Sequence, residues 1–144
     1  MVRIAFYKGP AKEFLHKLGH FGTKLFTGSK YSHCELILGG WCYSSSSHDG
    51  GVRKKAIDYG LPKWDVYDLP SFSEDEALAW FEFHQGQAYD WAGIWRFLFP
   101  FLPQKQTSWF CSEACAAALG LERPEDWSPQ DLYAYLKWDN EQHV

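Results

Sequence analysis

The hydrophobic pattern changes period part-way along the chain. Val2–Tyr7 alternates loosely between apolar and polar residues and ends at Gly9-Pro10, which predicts a strand. Ala11–Leu18 sets Phe14, Leu15 and Leu18 on one helical face, and Gly19 stops it. Thr27–Lys30 reads as a loop. Ser32–Leu38 and Trp41–Ser46 read as two strands joined by a two-residue Gly39-Gly40 turn. After a second turn, His48-Asp49-Gly50-Gly51, further strands are predicted over Val52–Ile57 and Trp64–Leu69. The period then becomes helical. Ser73 with Glu76 forms a capping-box signature for a helix reaching His84 and stopping near Gly86. Asp90 is the expected cap of a helix over Trp91–Leu98, broken by Pro100 and Pro103. Thr107 or Ser108 is the expected cap of another over Trp109–Leu119, with Gly120 as its stop. Ser128-Pro129 opens a last helix to about Lys137. Strand, helix, strands, then helices predicts an α+β fold: one domain over 1–144, with an antiparallel sheet of about five strands packed on helices. There are no internal repeats and no linker.

Composition adds three constraints. Eight Trp, eight Tyr and eleven Phe in 144 residues exceed what one small core needs, so some are expected to line a cleft or contact surface. The net charge is −4 and no Lys/Arg block reaches five residues, which argues against nucleic-acid binding by phosphate neutralisation. The longest apolar run, Trp91–Leu102, has twelve residues with Arg96 and Pro100 inside it, too short and interrupted to span a bilayer. The N-terminal residues lack the apolar core and small-residue cleavage site of a signal peptide, so the cytoplasm is the expected location. Without a secretory signal, Cys34, Cys42, Cys111 and Cys115 are not expected to form a disulfide framework. Free thiols, a catalytic thiol or a metal site remain.

Three segments carry candidate chemistry. Phe110-Cys111-Ser112-Glu113-Ala114-Cys115 puts Cys111 in the first turn of a helix, where unpaired N–H groups favour a thiolate. The alternative is that Cys111 and Cys115 are small hydrophobes on one buried face. On the Ser32–Leu38 strand, His33 and Glu35 face one way and Cys34 the other. His33 is placed to deprotonate a thiol brought alongside it, or is simply a half-exposed histidine. The Gly39-Gly40 register sets Ser46 opposite His33, with His48 one step on along the same face, placed to orient the ring. Otherwise His48 belongs to the exposed turn. A zinc set is not supported: no Cys-x2-Cys or His-x3-His spacing occurs, and Cys34 and Cys42 are not cross-strand partners in that hairpin.

Taken in order, several segments resemble the circularly permuted branch of the NlpC-type papain-like cysteine hydrolases, which includes the YiiX-like amidases and the lecithin:retinol acyltransferase-like proteins. Ile4–Gly9 resembles the opening strand and Gly28–Leu36 the histidine segment. Ala88–Gly93 resembles the aromatic helix start, Phe110–Ala114 the cysteine motif and Ser128–Leu132 the closing segment. The resemblance implies a permuted papain-like fold and thiol-based hydrolysis or acyl transfer at an amide or ester carbonyl, with no cofactor. It implies Cys111 as nucleophile and His33 as base. The family's third polar residue maps to the serine-rich segment ending at His48, with Glu35 as competitor. Cys34 is expected to face away from the site. The Cys111 N–H, with Tyr31 as a second donor, is the expected oxyanion site. The implied substrates are cell-wall peptides, other peptide amides or lipid acyl groups. Trp95–Leu102 is either a substrate wall or plain core, and the acidic balance argues against strong attachment to anionic membranes. The competing expectation is a binding or structural module that keeps the fold with Cys111 inert.

Overall fold

The computed structural model describes residues 1–9, 30–90, 101 and 108–142. Their strands form one sheet in the order β5-β1-β2-β3-β4-β6-β7. The strands are β1 (Val2–Tyr7), β2 (His33–Leu38), β3 (Trp41–Ser46), β4 (Gly51–Lys55), β5 (Trp64–Leu69), β6 (Ala88–Tyr89) and β7 (Ser108–Trp109). Every neighbouring pair is antiparallel except β6–β7. Three α-helices are described: α1 (Glu74–His84), α2 (Cys111–Ala118) and α3 (Pro129–Gln142). None of these helices is long and apolar enough to cross a membrane.

The fold is α+β, with seven strands where about five are expected from the pattern. The two extra strands have two residues each, too short to show a period. One of them, Ser108–Trp109, falls where the pattern predicts a helix start. Trp109 pairs with Tyr89 instead, and helix begins at Cys111. The predicted helices over Ala11–Leu18 and Trp91–Leu98 lie outside the described residues.

The Gly39-Gly40 turn has φ of 55° and 82°, the doubly positive geometry of a two-residue hairpin. It sets Leu38↔Trp41, Ile37↔Cys42 and Leu36↔Tyr43. Alternation then sorts the side chains. Ile4, Phe6, Cys34, Leu36, Tyr43 and Val52 join the main core with the helices. On the reverse face, Ala5, Ile37 and Cys42 are covered by Ile57, Tyr59 and Trp64 from the β4–β5 connection and the start of β5. With both sides covered, β2 is buried from Cys34 to Leu38.

Helix α2 lies against β2 and β3. Alanine, serine and cysteine fill most of it, so its backbone approaches the sheet closely, and almost every residue is buried. It ends in a Schellman motif: Leu121 N–H donates to Ala116 O and Gly120 N–H to Ala117 O, with Gly120 at φ 71°. Ser73 caps α1 by accepting the Glu76 N–H, and Ser128 Oγ accepts the Asp131 N–H at the head of α3.

Candidate active site

The approach to Cys111 is fixed from two sides. Trp109 O accepts the Asp90 N–H at 2.9 Å and the hydroxyl of buried Ser45 at 2.5 Å. These bonds tie the segment entering α2 to the residue after β6 and to β3. Phe110 is the N-cap, in extended conformation at φ −102° and ψ 173°. Phenylalanine has no side-chain acceptor, so no cap oxygen competes for the N–H groups of the first turn. Glu113 Oε2 instead accepts the Phe110 N–H at 3.3 Å. Cys111 is the first helical residue, where the helix dipole favours a thiolate.

Cys111 meets two consecutive residues at the start of β2. Its thiol lies near enough to the His33 ring and the Cys34 thiol for their electrostatics to act on one another. His33 and Cys34 face opposite sides of the sheet, so Cys111 sits at the end of the strand, where both are reachable. The expectation that Cys34 faces away from the site is therefore corrected: the face it shares with the core is the one on which α2 lies. Cys115, one turn along α2, donates to Cys34 O at 3.9 Å. Cys34, Cys111 and Cys115 are thus free thiols buried in the same core.

His33 is held from behind. Its Nε2 lies 2.6 Å from Glu35 Oε1. Arg53 grips the same carboxylate with both terminal nitrogens, each at 2.6 Å, and its Nε donates to Asp49 at 2.8 Å. Lys55 Nζ closes the chain on Asp49 at 3.0 Å. Glu35 is only 1% exposed and the Arg53 side chain 12%, against 24% for His33, so the array runs inward from a half-open imidazole to a buried carboxylate. Ser44 makes the reach across β3 possible. It pairs with Arg53, and continuing the β2–β3 register by one step sets it opposite Glu35, with a side chain too small to block the path.

The charges follow from these contacts. Burial raises the Glu35 carboxyl, but the Arg53 and His33 hydrogen bonds outweigh it and hold Glu35 below its usual range. An ionised carboxylate only accepts, so Nε2 carries the hydrogen and Nδ1 is the ring nitrogen left for the thiol. Burial lowers the His33 pKa, but the Cys111 and Glu35 charges and hydrogen bonds push it up to about 10. The Cys34 hydrogen bond, against the burial penalty and with the His33 charge, holds Cys111 well below a free thiol. Cys34 moves the other way, raised first by burial and then by the Cys111 and Cys115 sulfurs beside it. Both directions favour a thiolate–imidazolium pair over the neutral pair.

Among the residues expected from the sequence, His33 and Cys111 come together. His48 does not join them: it stands exposed in the turn between β3 and β4. β3 ends at Ser46, which pairs with Gly51, so the chain has already turned before it reaches His48. Glu35 occupies the place assigned to His48, because Arg53 fixes its carboxylate against the edge of the ring. Tyr31 is also committed elsewhere, its buried hydroxyl donating to Asp65 at 2.6 Å. Of the apolar run Trp95–Leu102, only Phe101 is described, and it is 80% exposed. Among the described residues, no three His, Cys, Asp or Glu side chains are grouped to hold a metal ion.

Arg53 is not singled out from sequence, Cys34 only as facing away from the site, and Ser45 only as one of the serine-rich segment. Arg53 had a signal: alternation along β4 puts it on the Glu35 face once the two hairpin registers are chained. No family model, curated protein or solved structure matches this chain.

Proposed function

We propose that the chain is a cysteine-dependent hydrolase or acyltransferase acting at an amide or ester carbonyl, built as a permuted papain-like domain. The observation that carries this reading is the contact between the Cys111 thiol and a histidine whose far nitrogen is fastened to the buried Glu35–Arg53 pair. A nucleophile, a base and a group that orients the base are the parts such chemistry requires.

The thiolate of Cys111 attacks the carbonyl carbon and forms the S–C bond, and the carbonyl π electrons move to oxygen. The Cys111 N–H at the head of α2 donates to that oxyanion. The His33 imidazolium gives its Nδ1 proton to the departing amine or alkoxide as the C–N or C–O bond breaks, leaving a thioester on Cys111. Neutral His33 then takes a proton from water or another acceptor, which attacks the thioester and releases the thiolate. Glu35 keeps the ring in one tautomer and stabilises its charged form throughout.

Peptide amides, cell-wall peptides and lipid acyl esters are the substrate classes this reading admits. The four free thiols suit a reducing compartment such as the cytoplasm. One observation favours the competing reading of a non-catalytic module: Cys111 is only 3% exposed. A panel of fluorogenic esters, peptide amides and muropeptides, run with wild type and Cys111→Ala, separates the two. Turnover by wild type alone supports the enzyme. Absence of turnover across the panel, together with an unreactive Cys111, supports the module.

A further inference from the structure

We propose that Cys34 is the resolving thiol for Cys111, so that oxidation of Cys111 by a peroxide is captured as a Cys34–Cys111 disulfide. This rests on the reading of Cys111 as a reactive thiolate, and adds a modification site to it.

The geometry comes from the thiol cluster. Cys34 projects from β2 into the buried core cluster that also holds Cys111, in the first turn of α2, and Cys115, one turn on, whose thiol reaches the Cys34 carbonyl; α2 itself packs on β2. A thiol is not needed there for packing, since an alanine or valine would fill a strand position beneath a helix equally well. Cys115 is the only other described thiol in the cluster, and helix geometry disfavours it as a partner for Cys111. Side chains four apart on a helix have Cβ atoms about 5–6 Å apart. A disulfide needs them at about 3.5–4.5 Å. Cys34, reaching in from a separate element, carries no such constraint. Cys42 lies on the opposite face of the sheet, in a separate cluster, and serves as an internal control.

The chemistry balances with hydrogen peroxide as the oxidant. The Cys111 thiolate attacks one peroxide oxygen, the O–O bond breaks, and hydroxide leaves. Sulfur is oxidised by two electrons to the sulfenic acid and peroxide is reduced. The Cys34 sulfur then attacks the sulfenic sulfur. The S–S bond forms, the S–O bond breaks, and the oxygen leaves as water with the proton from Cys34. The nucleophile is withdrawn from use and is protected from irreversible oxidation. A thiol reductant returns it.

The test uses the full chain, reduced, freed of reductant and treated with hydrogen peroxide. Residual thiols are then alkylated under denaturing conditions, and the protein is cleaved after glutamate. Cleavage after Glu35 separates Cys34 from Cys42, and cleavage after Glu113 separates Cys111 from Cys115. The expected product is a peptide pair joined through Cys34 and Cys111 that dithiothreitol separates. In Cys34→Ser, which keeps a hydrogen-bond donor beside Cys111, the link is absent and Cys111 advances to sulfinic and sulfonic acid. The proposal is overturned if Cys111 over-oxidises equally fast in wild type and Cys34→Ser, or if the link formed is Cys111–Cys115. Alkylation of untreated protein at pH 6 separates the two levels of inference. Selective labelling of Cys111 with no Cys34 link removes the resolving role and leaves the proposed function standing. A Cys111 that neither alkylates nor oxidises removes both.

Discussion

Glu35 stands two residues along β2 from His33 and holds its ring edge-on, with Oε1 at 2.6 Å from Nε2. Neighbours of this spacing on one strand ordinarily point side by side. Here the Arg53 guanidinium, reaching across β3, fixes both carboxylate oxygens and turns one of them onto the imidazole. The orientation of the proposed base is thus set by a residue two strands away.

Glu35→Gln keeps the shape and removes the charge. Arg53 is then left largely buried with Asp49 as its remaining described carboxylate, and losing its bidentate partner leaves a buried cation only partly compensated. We expect a loss of about 3 kcal/mol by chemical denaturation. Alkylation of Cys111 at pH 6 should also slow, because His33 loses one of the two partners that hold it charged. His48→Ala, in an exposed turn, should stay within about 0.5 kcal/mol of wild type and leave alkylation unchanged. The reverse ranking of these two variants would refute the assignment of Glu35.

Cys111→Ala should abolish turnover in a folded protein. Trimming one sulfur from the first turn of α2 costs no more than about 1–2 kcal/mol. A folded variant that retains turnover would remove Cys111 from the mechanism.

The pH dependence has a definite sign. Glu35 titrates below its ordinary 4.5, so its contribution to stability is present above that pH and is lost as pH falls through the lowered value. His33 is raised from 6.5 to about 10, so its contribution is complete below 6.5 and fades as pH rises through about 10. The stability gap between wild type and Glu35→Gln should therefore be widest between pH 4.5 and 6.5, shrinking on both sides. Urea midpoints across pH 3–10 for both proteins read this directly; a gap that widens steadily with pH contradicts it.

Gly51→Ala tests how β6 is held. Gly51 has φ 147°, and a Cβ there would fall on the Gln87 carbonyl oxygen. That oxygen accepts the Val52 N–H at 2.9 Å as β4 meets β6. We expect a cost of roughly 2–3 kcal/mol or more from backbone strain and the displaced strand. Because β6 carries β7, and β7 leads into Cys111, alkylation of Cys111 should slow as well. A Tm within a degree of wild type would show that the β4–β6 approach is not constrained.

Local chemistry made much of this legible. Two glycines with no side chain to resist positive φ set the β2–β3 turn and its register. Serines at 73 and 128 marked two helix starts, and the alternation along β2 put Glu35 on the His33 face. What stayed hidden was non-local. The pairs β6 and β7 are too short to have a period, so Ser108–Trp109 read as helix. Glu35 could be ranked above His48 only by knowing that Arg53 reaches it across an intervening strand. Cys34 reads as facing away until α2 is laid on its side of the sheet.

The proposed chemistry requires Cys111 to be a thiolate sustained by His33. The most direct measurement is the rate of iodoacetamide alkylation of each of the four cysteines against pH, followed by mass spectrometry, in wild type and His33→Ala. Cys111 is expected to label at pH 6 well before Cys34, Cys42 and Cys115. His33→Ala should shift the rise in Cys111 labelling up towards the free-thiol value of about 8.5. Slow and equal labelling of all four thiols, or a Cys111 profile unmoved by His33→Ala, would contradict it.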